Sequence, residues 1–141
     1  MPTFLFKTEP SEFSFDDLLN AGTSRWDGVS NPQALQNLRL CRAGDHALIY
    51  HTGDQKAIVG LARVESDPYQ DPKAPGLTPD GQPKAAVVDL RAVRAATPPL
   101  TLADIKAHPR FKAFELVTHP RLSVMVVPPA LDQIIRKAAR L

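Results

Sequence analysis

Near the N-terminus, Lys7-Thr8-Glu9-Pro10 sets an amine, a hydroxyl and a carboxylate side by side. On an extended strand alternate side chains share a face, so Lys7 and Glu9 point one way and Thr8 the other. At the mouth of a pocket such a trio can hold a phosphate through the lysine and read a base edge through the hydroxyl or carboxylate. Without a pocket, Lys7 and Glu9 are an ordinary ion pair. The only tryptophan, Trp26, lies in the polar turn Arg25-Trp26-Asp27-Gly28 rather than in an apolar stripe. It is either a core residue or a stacking wall for a planar base, an interaction worth ~1–3 kcal/mol.

Other chemistries find less support. Cys41, His46, His51, His108 and His119 are the soft metal-ligand candidates, but no pair of them has ligand spacing. His46 and His51, five apart on one strand, point to opposite faces. No metal centre is expected. The seven glycines are scattered and form no phosphate-cradling loop, and no cofactor is expected either. Nucleophilic catalysis by Cys41 would require a depressed pKa and an adjacent histidine; the simpler reading is a packed thiol.

The elements that must position these residues follow from local pattern. Thr3 to Thr8 is aromatic and β-prone, a buried first strand ended by Pro10. Ser14 with Asp17 three residues on, then Phe15, Leu18 and Leu19 before Gly22, marks a capped helix. Asn31-Pro32 is an N-cap and first-turn pair that opens a second helix through Leu35 and Leu38. His46–His51 and Ala57–Val64 are β-like runs joined by a five-residue polar loop, which predicts a hairpin. Between Asp67 and Pro83, seven of 17 residues are Pro or Gly, so this is a long loop, expected to be mobile and to fold toward the cleft as a partial lid. A strand over Ala85–Val93 is broken by Thr97-Pro98-Pro99. Thr101, Leu102, Asp104 and Ile105 repeat the capped-helix signature. Arg121–Val127 predicts a strand, and Leu131–Leu141 a basic amphipathic helix with Leu131, Ile134, Ile135 and Ala138 on one stripe. Irregular alternation without repeats predicts an α+β fold: a small mixed sheet forming a partly closed barrel, decorated by short helices.

With 141 residues and 15.4 kDa, the chain should form one domain over residues 1–141. Hydrophobic residues at 43% and charged residues at 23% suit a globular core rather than a disordered tail. The longest apolar stretch, Val124 to Leu131, contains two prolines and is far short of the ~20 residues a membrane helix needs. The N-terminal apolar run is followed at once by Glu9, Glu12, Asp16 and Asp17, unlike a signal or transit peptide. A single cysteine forbids an internal disulfide, and a reducing, cytoplasmic location is expected. Net charge is only +2, yet it is unevenly spread. Met1 to Ile105 carries 10 Lys+Arg against 13 Asp+Glu, while Lys106 to Leu141 carries 7 against 2. The positive charge of the C-terminal quarter serves either solubility and helix ends or a polyanion-facing surface.

Phe6-Lys7-Thr8-Glu9-Pro10-Ser11-Glu12-Phe13-Ser14-Phe15-Asp16-Asp17-Leu18, Trp26-Asp27-Gly28-Val29, Gly44-Asp45, Tyr50-His51, Ile58-Val59-Gly60, Asp67-Pro68-Tyr69 and Arg121-Leu122-Ser123-Val124 together resemble the EVE domain family, in family order and through essentially the whole chain. The resemblance implies the PUA-like fold shared with YTH and ASCH domains, and a pocket for a modified base in DNA or RNA. It also implies roles: Trp26 as the aromatic wall, Lys7 and Thr8 as polar lining, Asn31, His51 and Ser123 near the cleft, and Arg121 as a contact to the nucleic-acid backbone. The chain departs from the family at Ser30-Asn31-Pro32-Gln33-Ala34-Leu35, where two arginines and an aromatic are missing, and at Ala85-Ala86-Val87-Val88-Asp89, where the aromatics are reduced. A weaker or differently selective pocket is the consequence.

The first functional expectation is therefore a non-enzymatic domain that binds a modified nucleobase in DNA or RNA. The second is a small hydrolase acting on modified nucleosides or RNA, as in similar ASCH domains, with Lys7, Thr8 and Glu9 supplying base and nucleophile. Their opposite orientations on a strand count against it. No membrane partner is expected.

Overall fold

A computed structural model describes residues 1–141. Its centre is β1 (Thr3–Thr8), which pairs in parallel with β3 (His46–His51) and antiparallel with β7 (Val124–Val127). Phe4, Leu5 and Phe6 are all buried, because β1 is covered on both faces and cannot alternate apolar with polar. Beyond β3 the sheet continues antiparallel through β4 (Ala57–Val64), β6 (Ala86–Thr101) and β2 (Thr23–Trp26), in the order β2-β6-β4-β3-β1-β7. A two-residue strand, β5 (Tyr69–Gln70), pairs with β6 alone.

The sheet curls back on itself. Three strands separate β2 from β1 in that order, yet the rings of Trp26 and Phe6 lie 5.9 Å apart. The edges β2 and β7 do not pair, so the barrel is open there. The fold is the mixed α+β barrel with short helices expected from the pattern of elements.

Local capping chemistry places the helices. In α1 (Phe15–Ala21) the Ser14 hydroxyl accepts from the Asp17 N–H at 3.0 Å and the Asp17 carboxylate accepts from the Ser14 N–H at 2.8 Å, a reciprocal box. In α2 (Pro32–Leu38) Asn31 Oδ1 accepts from the Ala34 N–H at 3.0 Å. Thr101 caps α3 (Leu102–Ala107) in the same way. A 3₁₀ turn (Pro109–Phe111) and α4 (Glu115–Thr118) follow; they bury Phe111, Phe114 and Leu116, and their shortness hides them from a periodicity argument. The chain closes in α5 (Pro129–Ala139), which buries Leu131, Ile135 and Ala139 rather than Ala138.

Three boundaries differ from expectation. β6 does not stop at Thr97-Pro98-Pro99: Gly60 pairs with Ala95 and Ile58 with Leu100, so residues 96–99 bulge opposite Val59 and the prolines owe the ladder no hydrogen bond. β7 begins at Val124, and Arg121 lies in the turn before it. The 67–83 loop does not close over the cavity as a lid: none of its residues line that space, and its far end is held by Arg39 at the end of α2, which donates to the carbonyls of Pro83 at 2.8 Å and Lys84 at 3.1 Å. Leu77 and Pro83 bridge across its tip.

Candidate nucleic-acid interface

A cavity of ≈ 510 Å³ opens where the barrel fails to close, between the C-terminal end of β1, the turn after β2 and the segment leading into β7. The turn after Trp26 is made by Gly28 at φ +78°, a backbone state that glycine adopts at no steric cost. Of the residues singled out from sequence, Lys7, Thr8, Trp26 and Ser123 line the cavity.

Lys7 and Thr8 are already engaged. The Lys7 ammonium donates to the Pro120 carbonyl at 2.9 Å and stands 5.8 Å from the centre of the Tyr50 ring. Half-burial lowers its pKa below the usual lysine value. No ion pair joins it to Glu9; that carboxylate accepts instead from the Thr52 hydroxyl at 3.1 Å. The Thr8 hydroxyl donates to the Phe13 carbonyl at 2.6 Å, which ties the end of β1 to the start of α1. The Ser123 backbone carbonyl accepts from the Lys7 N–H at 2.9 Å, while its hydroxyl has no partner within the protein.

Trp26 is not the open wall that its polar sequence neighbours suggest. Its residue is only 7% exposed, and its ring meets Phe6 and Phe13 edge to face at 5.9 Å each. It forms the floor of the cavity rather than a displayed face. Phe13 is the more accessible aromatic here, half-buried and lining the same space. Its sequence signal is the one that marks Trp26, an aromatic stranded among polar residues in Ser11-Glu12-Phe13-Ser14, and the sequence reading does not pick it as a site residue.

Three candidates do not reach the cavity. Asn31 is exposed and spends its side-chain oxygen on the α2 cap. His51 is buried at the end of β3; its Nε2 accepts from the Phe15 N–H at 3.0 Å, so its proton sits on Nδ1 and is donated to Gln55 Oε1 at 2.7 Å. It is a structural clamp between β3 and α1. Replacing His51 with Ala strands a buried N–H and should cost ~1–3 kcal/mol. A thermal melt checks this. Arg121 is exposed and unpaired in its turn, two residues before Ser123.

Arg25 extends the rim. Its Nε donates to the Tyr69 hydroxyl at 3.3 Å, and that hydroxyl donates to Asp89 at 2.6 Å. The hydrogen bond to Tyr69 raises the already high arginine pKa further. The cavity is thus lined by two cations, Lys7 and Arg25, and three carboxylates, Glu9, Glu12 and Asp27. Such a lining suits a neutral polar group with both donors and acceptors better than a phosphate. Cys41 is fully buried with its thiol pKa pushed up to about 12, chiefly by burial, which leaves no thiolate for chemistry. The basic C-terminal quarter is divided: Arg121 stands near the cavity, whereas Arg136, Lys137 and Arg140 gather elsewhere. No helix is long and apolar enough to cross a membrane.

Known proteins share this sequence pattern and this fold. Thymocyte nuclear protein 1 of Rattus norvegicus is 30% identical over an alignment of 153 positions, gaps included, which covers 86% of this chain and 66% of the relative, so the chain spans just under two thirds of that relative's length. A crystal structure of a protein from Agrobacterium tumefaciens superposes with a TM-score of 0.90 at 31% identity, covering 100% of this chain and 94% of that one. The human THYN1 protein, crystallised in complex with 5-methylcytosine containing DNA, superposes with a TM-score of 0.86 at 27% identity, covering 100% and 99%. The EVE domain family profile matches residues 3–138, nearly the whole barrel and its helices, and the chain belongs to that family.

Proposed function

We propose that this chain is a single nucleic-acid-binding domain, over residues 1–141, that holds a modified nucleobase in the cavity at the end of β1. The observation that carries the reading is the cavity itself: an apolar aromatic floor of Trp26 and Phe13 under a rim of mixed charge, with a free Ser123 hydroxyl. A base is flat and apolar on its faces and carries donors and acceptors on its edge, which is the complement of that lining. A human relative is bound to 5-methylcytosine containing DNA, which supports the same ligand class here. Lys7 and Thr8 hold backbone carbonyls rather than each other, an arrangement for positioning rather than for proton transfer, so the reading is a non-enzymatic one. Arg121, exposed beside the cavity, contacts the phosphate backbone. A buried single cysteine suits a reducing compartment, cytoplasm or nucleus alike.

Titration of DNA and RNA oligonucleotides carrying methylated or hydroxymethylated bases tests this. One modified base should bind more tightly than its unmodified counterpart; equal affinity across the panel sinks the reading. In the same assay Arg121→Ala should weaken all oligonucleotides alike and reduce the salt slope by about one. A slope that does not move returns Arg121 to solubility.

A further inference from the structure

At the opposite end of β1 lies an open groove of ≈ 790 Å³, bordered by Thr3, by His46 of β3, by Arg94 of β6 and by the polar face of α5. Arg136 is its fixed point. Nε donates to Asp132 Oδ1 at 2.9 Å, and Nη2 donates to the Thr3 hydroxyl at 3.2 Å and to His46 Nδ1 at 2.8 Å. Nη1 has no partner in the protein. Because a guanidinium only donates, His46 accepts at Nδ1 and carries its proton on Nε2. Burial first, and then the Arg136 charge, hold the His46 pKa below its ordinary value.

The groove's one side-chain carboxylate is spent. Asp132 takes the Arg136 charge and also the Thr3 hydroxyl at 2.9 Å. Arg94, Lys137 and Arg140 border the same space and are in no ion pair. Cations at the end of α5 complement its dipole, and that alone would account for Lys137 and Arg140. It does not account for Arg94, which comes from the sheet, nor for Arg63, exposed opposite His46 in the β3–β4 ladder. Separate elements converge on one positive groove that the fold does not neutralise.

We propose that this groove binds phosphodiester groups, as a backbone site for the nucleic acid whose base enters the cavity at the other end of β1. The ligand's identity rests on the base-binding reading above; the groove's positive charge does not. Thr3 and Lys7, four residues apart, set the two sites ~13 Å apart along the strand, about four nucleotide steps at ~3.4 Å each. One strand can therefore reach both.

The test uses the double variant Arg94→Gln with Lys137→Gln, whose side chains are exposed and make no hydrogen bond within the protein. A short duplex without any modified base, and the same duplex bearing 5-methylcytosine, are titrated by anisotropy between about 50 and 200 mM salt. The variant should melt like the wild type, bind both duplexes several-fold more weakly, and lose about two from the salt slope. The ratio between modified and unmodified duplex should not change. An unchanged slope overturns the proposal, as does a wild type that fails to bind the plain duplex at low salt. A wild-type ratio of one is the separate failure of the base-binding reading, and it leaves the groove standing if the slope still falls.

Discussion

Trp26→Ala lowers the stability of the protein by ~3–5 kcal/mol, the usual loss when a large buried aromatic is truncated. The indole is almost fully buried and touches Phe6 from β1 and Phe13 from the approach to α1. Each edge-to-face pair contributes ~0.5–1.5 kcal/mol beyond burial, so the variant loses two such contacts and leaves a void where the curled sheet meets itself. Base affinity falls with stability, because the same ring is the cavity floor. Trp26→Phe keeps an aromatic in the site and should retain most of the melting temperature. Chemical denaturation and oligonucleotide titration of both variants check this. A Trp26→Ala protein that melts like the wild type while losing only base affinity would show an exposed stacking wall instead.

Gly60→Ala is expected to cost ~1–3 kcal/mol or more through overpacking. A methyl group at Gly60 would lie 2.4–2.6 Å from three ring carbons of Phe15, closer than atoms can approach. The ring cannot step aside easily, because Phe15 is buried and its N–H is held by His51 Nε2 at 3.0 Å. The strain passes into α1, which leads directly into β2 and Trp26, so the variant should also weaken base binding in proportion. Phe15→Leu, which removes the ring, should restore part of the loss in the double variant. A non-additive double-mutant cycle measures that coupling; strict additivity would place the cost of Gly60→Ala elsewhere.

Much of this fold is legible in the residues, and the legible parts share a physical cause. Ser14 with Asp17, Asn31 with Ala34, and Thr101 with Asp104 close hydrogen bonds across three residues, so a local reading finds them. The β3–β4 hairpin is local for the same reason, and the family motifs carry the barrel with them. Side-chain destinations are another matter. The neighbours of Trp26 in sequence are Arg25 and Asp27, but its neighbour Phe6 arrives from a strand four places away in the sheet. The family motif puts His51 near the cleft, but the Phe15 N–H, 36 positions earlier, takes its free nitrogen and makes it a clamp. Thr97-Pro98-Pro99 reads as a strand breaker, and only pairing with β4 turns it into a bulge.

By itself the sequence determined the family, the capped helices, the hairpin and the residues Lys7, Thr8, Trp26 and Ser123 at the cavity. Tertiary structure alone decided that Trp26 is a floor rather than a wall, that Asn31 and His51 serve the fold, and that the C-terminal cations divide between two ends of β1. Caps and turns depend on atoms a few residues apart, whereas exposure and charge clustering depend on how a curled sheet brings distant strands together, and no local pattern encodes that curl.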